Sequence, residues 1–137
     1  WKEIKNAWYY FNSDGYILTH WGKIDGRWYY FGADGARKTG WQFVDGRWYY
    51  LEDNGIMATQ WKWINGKWDY LDASGAMTTG WQYIRNRWYY MDASGAMTTG
   101  WQYINGKWYC MDSNGVMYAN TWTPDGRYVD ASGALVR

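Results

Sequence analysis

The chain has 137 residues and a formal charge of +1, with 14 basic and 13 acidic residues spread evenly, so no basic run is present to hold a phosphate backbone or an anionic bilayer. No apolar stretch approaches the roughly 20 residues that span a bilayer, so no membrane insertion is expected, and no charged-then-apolar signal segment opens the chain, which reads as a mature or excised fragment. Tryptophan (14) and tyrosine (15) far outnumber phenylalanine (3), so the aromatic excess lies in rings with a polar edge, suited to half-exposed positions.

A period of 20 organises the whole chain. Trp1, Trp21, Trp41, Trp61, Trp81 and Trp101 share one phase, and Trp8, Trp28, Trp48, Trp68, Trp88 and Trp108 fall seven residues later. Gly15, Gly35, Gly55, Gly75, Gly95 and Gly115 hold a third phase. The period predicts a single repeat module over 1–137, with hairpin repeats at 1–20, 21–40, 41–60, 61–80, 81–100 and 101–120 and a terminal cap at 121–137.

Taken in order, the first repeat joins its aromatic runs through Lys5-Asn6, which lacks glycine and predicts a wider or more strained turn. The second turns at Asp25-Gly26 and the third at Asp45-Gly46, the preferred pairs of a two-residue type I′ turn because both positions need positive φ. In the third repeat such a turn pairs Val44 with Arg47, Phe43 with Trp48, Gln42 with Tyr49 and Trp41 with Tyr50. Alternation then places Trp41, Phe43, Trp48 and Tyr50 on one face and Val44, Tyr49 and Leu51 on the other. The fourth repeat turns at Asn65-Gly66 and carries Asp69 where other repeats have tyrosine, on the face away from the tryptophans. Arg85-Asn86 again lacks glycine in the fifth, and Asn105-Gly106 serves the sixth. A second turn follows each hairpin, as at Asp34-Gly35 and Ser74-Gly75. The last unit, from Thr121 through Pro124-Asp125-Gly126 to Asp130, reaches its second turn about two residues early and reads as a shortened capping hairpin. Two-stranded hairpins are marginal alone, so the predicted fold class is an all-β hairpin repeat solenoid in which each unit is stabilised by its neighbours.

Chemistry for catalysis is missing. His20 and Cys110 lie ninety residues apart in a chain of stacked repeats, and His20 occupies a phase where other repeats carry Gly40, Gln60, Gly80 and Gly100. The acidic residues sit mostly before glycine in turns, where aspartate bonds the backbone. No catalytic residue, metal ligand set or cofactor is therefore predicted. Cys110 reads as a substitution at an aromatic position. Rings meeting around a small space would suit an onium head group, whose charge is attracted to the ring faces; sugars also stack on such rings, and all of them could instead serve as inter-repeat core.

The units Thr39-Gly40-Trp41 through Trp48-Tyr49-Tyr50-Leu51 to Gly55-Ile56-Met57, and Thr79-Gly80-Trp81 through Trp88-Tyr89-Tyr90-Met91 to Gly95-Ala96-Met97, closely resemble the choline-binding repeats of Gram-positive surface proteins, autolysins and phage lysins. The resemblance implies a secreted, cell-wall-associated module that is not itself an enzyme. Its partners would be choline or phosphocholine groups of teichoic acid, held between consecutive hairpins. The abrupt start at Trp1 suggests preceding chain, where a lytic domain would fit, and association into a homodimer would use the C-terminal units.

In that family a site takes two tryptophans of one hairpin and a tyrosine from the next, with a methionine nearby. Carried over, the first site is Trp1, Trp8 and Tyr30 with Ile17, and the second Trp21, Trp28 and Tyr50, with Arg37 at the methionine phase. The third is Trp41, Trp48 and Tyr70 with Met57, and the fourth Trp61, Trp68 and Tyr90 with Met77. The fifth pairs Trp81 and Trp88 with Met97 but has Cys110 as its missing wall, and the sixth has Trp101 and Trp108, with Tyr128 as a substitute for Asp130 at the tyrosine phase. The competing reading is an α-glucan-binding repeat of glucosyltransferase or toxin type, which the unit also resembles; the paired tryptophans in all six regular repeats favour choline. A spacer or self-association arm is the third reading.

Overall fold

The computed structural model describes residues 1–137. Its regular elements are strands: β1 (Lys2–Ile4), β2 (Ala7–Tyr9), β3 (His20–Ile24), β4 (Arg27–Phe31), β5 (Gly40–Val44), β6 (Arg47–Leu51), β7 (Gln60–Ile64), β8 (Lys67–Leu71), β9 (Gly80–Ile84), β10 (Arg87–Met91), β11 (Gly100–Ile104), β12 (Lys107–Met111), β13 (Thr121–Trp122) and β14 (Tyr128–Val129). Consecutive strands pair into seven two-stranded sheets, so the expected all-β repeat of hairpins is the observed architecture, with no closed barrel. No helix is long and apolar enough to cross a membrane.

Turn chemistry sets the register. Between β5 and β6, Asp45 and Gly46 take φ of 50° and 81°, and Val44 faces Arg47, Phe43 faces Trp48 and Trp41 faces Tyr50, as predicted. The turns without glycine are not wider. Lys5 and Asn6 take φ of 52° and 66°, and Arg85 and Asn86 take 50° and 68°, while Ile4 still faces Ala7 and Ile84 still faces Arg87. The flanking strands hold the two-residue geometry, and the turn absorbs the left-handed conformation as strain.

In the fourth repeat the second turn is built by an aspartate. Asp72 Oδ1 accepts the N–H groups of Ser74 and Ala76, and the loop is closed by the Asp72 N–H donating to Ala76 O and the Gly75 N–H donating to Asp72 O. Glycine is needed at position 75 twice over: φ is +88°, and a Cβ would lie 2.3 Å from Met57 Sδ. The capping hairpin differs. Trp122 faces Tyr128, and its loop is closed by the Thr123 N–H donating to Arg127 O, with Gly126 at φ 86°, a three-residue loop ending in a left-handed glycine.

The chain forms two compact units, one of Trp1–Lys62 with Leu71–Met77 and one of Trp63–Tyr70 with Thr78–Arg137. In the first unit the N–H groups of Arg37, Met57 and Met77 donate to the carbonyl oxygens of Trp8, Trp28 and Trp48 in the preceding hairpins. The next residues, Lys38 and Ala58, donate instead to Tyr30 and Tyr50 of their own hairpins, so two successive amides tie neighbouring hairpins together. The second unit repeats the device: Met97, Met117 and Leu135 bond to Trp68, Trp88 and Trp108, while Thr98, Tyr118 and Val136 bond to Tyr90, Cys110 and Tyr128.

Burial separates two kinds of face. The fully buried large side chains are Phe31, Leu51, Leu71, Met91, Met111 and Val129, almost all of them not aromatic, whereas Trp28, Trp48 and Trp88 stay 41%, 42% and 42% exposed. The rings are therefore not simply the inter-repeat core. The largest buried side chains stand at the ends of the second strands, Ile24, Ile64, Ile84 and Ile104 are buried at the ends of the first, and Trp28, Trp48, Trp68, Trp88 and Trp108 are left at the surface.

Candidate aromatic cages

Each cage begins within one hairpin. Because Trp21 faces Tyr30 and Trp28 faces Lys23, the two tryptophans are diagonal neighbours on one face of the β3–β4 ribbon. Their rings meet nearly at right angles, 6.4 Å apart at 87°. The pairs Trp1–Trp8 (6.4 Å, 82°), Trp41–Trp48 (6.4 Å, 88°) and Trp81–Trp88 (6.2 Å, 87°) repeat this geometry.

The third wall comes from the next hairpin. Tyr49 lies 4.9 Å from Trp21 at 71°, Tyr29 lies 4.9 Å from Trp1 at 69°, and Tyr109 lies 5.0 Å from Trp81 at 73°. These are the first tyrosines of the Trp-Tyr-Tyr and Trp-Tyr-Cys runs. The expected walls Tyr30, Tyr50 and Tyr90 instead pack on Trp21, Trp41 and Trp81 of their own hairpins, at 4.9, 5.2 and 5.1 Å. The reason is alternation: the residue that shares a face with its own tryptophans points away from the preceding hairpin, and its neighbour points toward it.

The methionines shift likewise. Met57 lines a cavity of about 250 Å³ with Trp21, Trp28, Tyr49, Ala73 and Ser74, and so belongs to the second cage rather than the third. Met77 bonds to Trp48 O and Met97 to Trp68 O, each one hairpin earlier than expected. The fifth cage has three aromatic walls, Trp81, Trp88 and Tyr109, and the Met117 N–H donates to Trp88 O as that of Met57 does to Trp28 O. Cys110 is not a missing wall. It is buried opposite Trp101 in its own hairpin, and burial pushes its thiol up.

Arg37 is displaced too. It enters not the second cage but the first, with its guanidinium carbon 5.3 Å from the Trp1 ring and 5.6 Å from the Trp8 ring. Ile17 packs instead where a Cβ on Gly35 would lie. In the second unit Trp68 lies 5.3 Å from Trp63, at 65°. Trp61 belongs to the first unit; Trp68, Tyr70 and Tyr90 belong to the second.

At the sixth position Trp101 and Trp108 line a cavity of about 310 Å³ with Asp125, Arg127, Leu135 and Arg137. Trp101 Nε1 donates to Asp125 Oδ2 at 3.0 Å. The Thr123 hydroxyl and this indole N–H hold the Asp125 carboxyl below the usual carboxylate range. Tyr128 does not reach this cavity. It packs on Trp122 at 5.2 Å and its hydroxyl donates to Asn120 Oδ1, because the shortened cap keeps it in its own hairpin.

Perpendicular ring faces around a space with a soft thioether on one side attract a compact, diffusely charged cation, and they offer no nucleophile or general base. Hairpin repeats bearing three-walled aromatic cages of this kind define an aromatic-cage binding module. The chain belongs to the choline-binding repeat family, whose model matches residues 1–38, 18–60, 38–79 and 78–122. It is 46% identical to choline binding protein F of Streptococcus pneumoniae, solved in the presence of a peptidoglycan analogue, with a TM-score of 0.96 over 100% of this chain and 46% of that one. CbpJ of Streptococcus pneumoniae is 42% identical, with a TM-score of 0.95 over 99% of this chain and 47% of that one. The pneumococcal cell wall endolysin of phage Cp-1, solved with choline, is 38% identical, with a TM-score of 0.62 over 96% and 40%. The chain thus spans less than half the length of these relatives. A comparison with curated protein sequences finds no match.

Proposed function

We propose that the chain is a non-catalytic binding module whose cages take the trimethylammonium group of choline, and that several cages together hold a parent protein on the choline-bearing teichoic acid of a cell wall. The observation that carries this reading is the second cage, where Trp21, Trp28 and Tyr49 surround a cavity beside Met57. Supporting it, the related phage endolysin was solved with choline. Each ring contact with an onium group contributes roughly 0.5 to 2 kcal/mol, so one cage binds weakly. Several cages on one chain make each later capture intramolecular, and avidity exceeds single-site affinity by roughly 100-fold or more where spacings match.

Intrinsic tryptophan fluorescence tests the reading directly. Choline chloride and tetramethylammonium should each give a saturable change, and an α-glucan oligosaccharide none. A response to the sugar alone would transfer the module to glucan binding.

A further inference from the structure

We propose that Arg37 is the resident cation of the first cage, closing it to outside ligands, and that a methionine in the same place is what leaves a cage free for an onium group. The second half rests on the choline reading above; the first half does not.

Arg37 and Met57 occupy equivalent places by two independent measures. Their N–H groups make the same bond to the second tryptophan of the preceding hairpin, Arg37 to Trp8 O at 2.8 Å and Met57 to Trp28 O at 2.9 Å. Their stems fill the same packing slot, since a Cβ on Gly55 would lie 2.4 Å from Arg37 Cδ just as one on Gly75 would lie 2.3 Å from Met57 Sδ. Beyond that slot the side chains part. Met57 ends beside the cavity of its cage. The longer arginine continues into its own, where the guanidinium carbon stands within 5.3 and 5.6 Å of two ring faces set at 82°. Tyr29 closes the third side, 4.9 Å from Trp1.

A guanidinium is planar, weakly hydrated and permanently charged, which suits it to stacking on aromatic faces. Burial works against its charge here, and Tyr29 and Glu3 work for it. An external onium ion would meet an occupied cage and a like charge. It would also lose translational freedom that the tethered side chain has already given up. The repeat therefore contains a cage of the same walls as its neighbours whose ligand is part of the chain.

The substitution R37M tests this, because methionine stands at the equivalent positions Met57, Met77, Met97 and Met117 and should fold. Calorimetric titration with choline chloride should count one more site in R37M than in the unsubstituted chain, with circular dichroism unchanged; an equal count in a folded R37M would overturn the closure. A second readout needs no choline. In the ligand-free chain the Arg37 Nε–H and Cδ–H proton resonances should be shifted upfield by the ring currents of Trp1 and Trp8, and saturating choline should not move them. Random-coil shifts, or shifts that collapse on adding choline, would overturn the proposal. If neither chain binds choline while the Arg37 resonances are shifted upfield, the resident cation stands and the choline reading falls.

Discussion

Asp69 stands at the phase where other hairpins carry Tyr29, Tyr49, Tyr89 and Tyr109. It is 5% exposed, and its carboxyl is pushed up to about 6, chiefly by burial and then by Asp92, against the attraction of Lys67. For an acid with a raised folded-state value, folding takes up a proton between the unfolded value of 3.8 and about 6, so stability falls as pH rises through that window. The substitution D69N removes the titration and keeps a polar group of similar size. Its stability relative to the unsubstituted chain should improve from pH 4 to pH 7. Each pKa unit corresponds to about 1.4 kcal/mol before solvent screening reduces it, which makes the expected gain on the order of 1 to 2 kcal/mol. Urea midpoints at the two pH values measure it, and a pH-independent difference would show that the buried carboxyl carries no penalty. Residue identity of this kind was legible only in part. The sequence marks Asp69 as a departure and places it on the face away from its own tryptophans, but it does not say that this face is the one a neighbouring hairpin sees. The same gap explains why Tyr50 rather than Tyr49 was expected as a cage wall, although alternation along the strand already separates them.

At the scale of the element, local sequence determines more. Asp-Gly and Asn-Gly at two-residue spacing specify the turn, the turn specifies the register, and the observed pairing of Val44 with Arg47 follows. What the local sequence could not give was the behaviour of Arg85-Asn86, since a weak turn pair is consistent with either a wider loop or a strained one. Five-residue strands on both sides, with Ile84 still facing Arg87, decide for strain. Replacing the pair by Asn-Gly, as R85N with N86G, should relieve left-handed conformation at Asn86, whose φ is 68°. The expected gain is about 1 kcal/mol in thermal or urea unfolding. No gain would mean that the bond the Tyr83 hydroxyl donates to Asn86 Oδ1 compensates for the strain.

For the whole molecule, periodicity gave the number of hairpins and could not give the number of working cages. Counting tryptophan pairs gives six candidate sites, yet the first contains Arg37 and the sixth has Asp125 bonded to the Trp101 indole in place of a tyrosine ring. Both differences depend on side chains brought together from repeats 20 or more residues apart, Arg37 with Trp1 and Asp125 with Trp101. Ligand linkage turns this into a measurable quantity. Every cage that binds choline only when folded adds RT ln(1 + [choline]/Kd) to stability, about 1.4 kcal/mol per cage at tenfold excess over Kd. Unfolding free energy plotted against the logarithm of choline concentration should therefore approach a slope of several RT, exceeding the value for one site but falling short of six. Potassium chloride at matched ionic strength provides the control for screening. A slope of one RT would mean that a single cage works and that avidity has no basis within this chain; a slope of six would mean that the Arg37 and Asp125 cages bind choline as readily as the others.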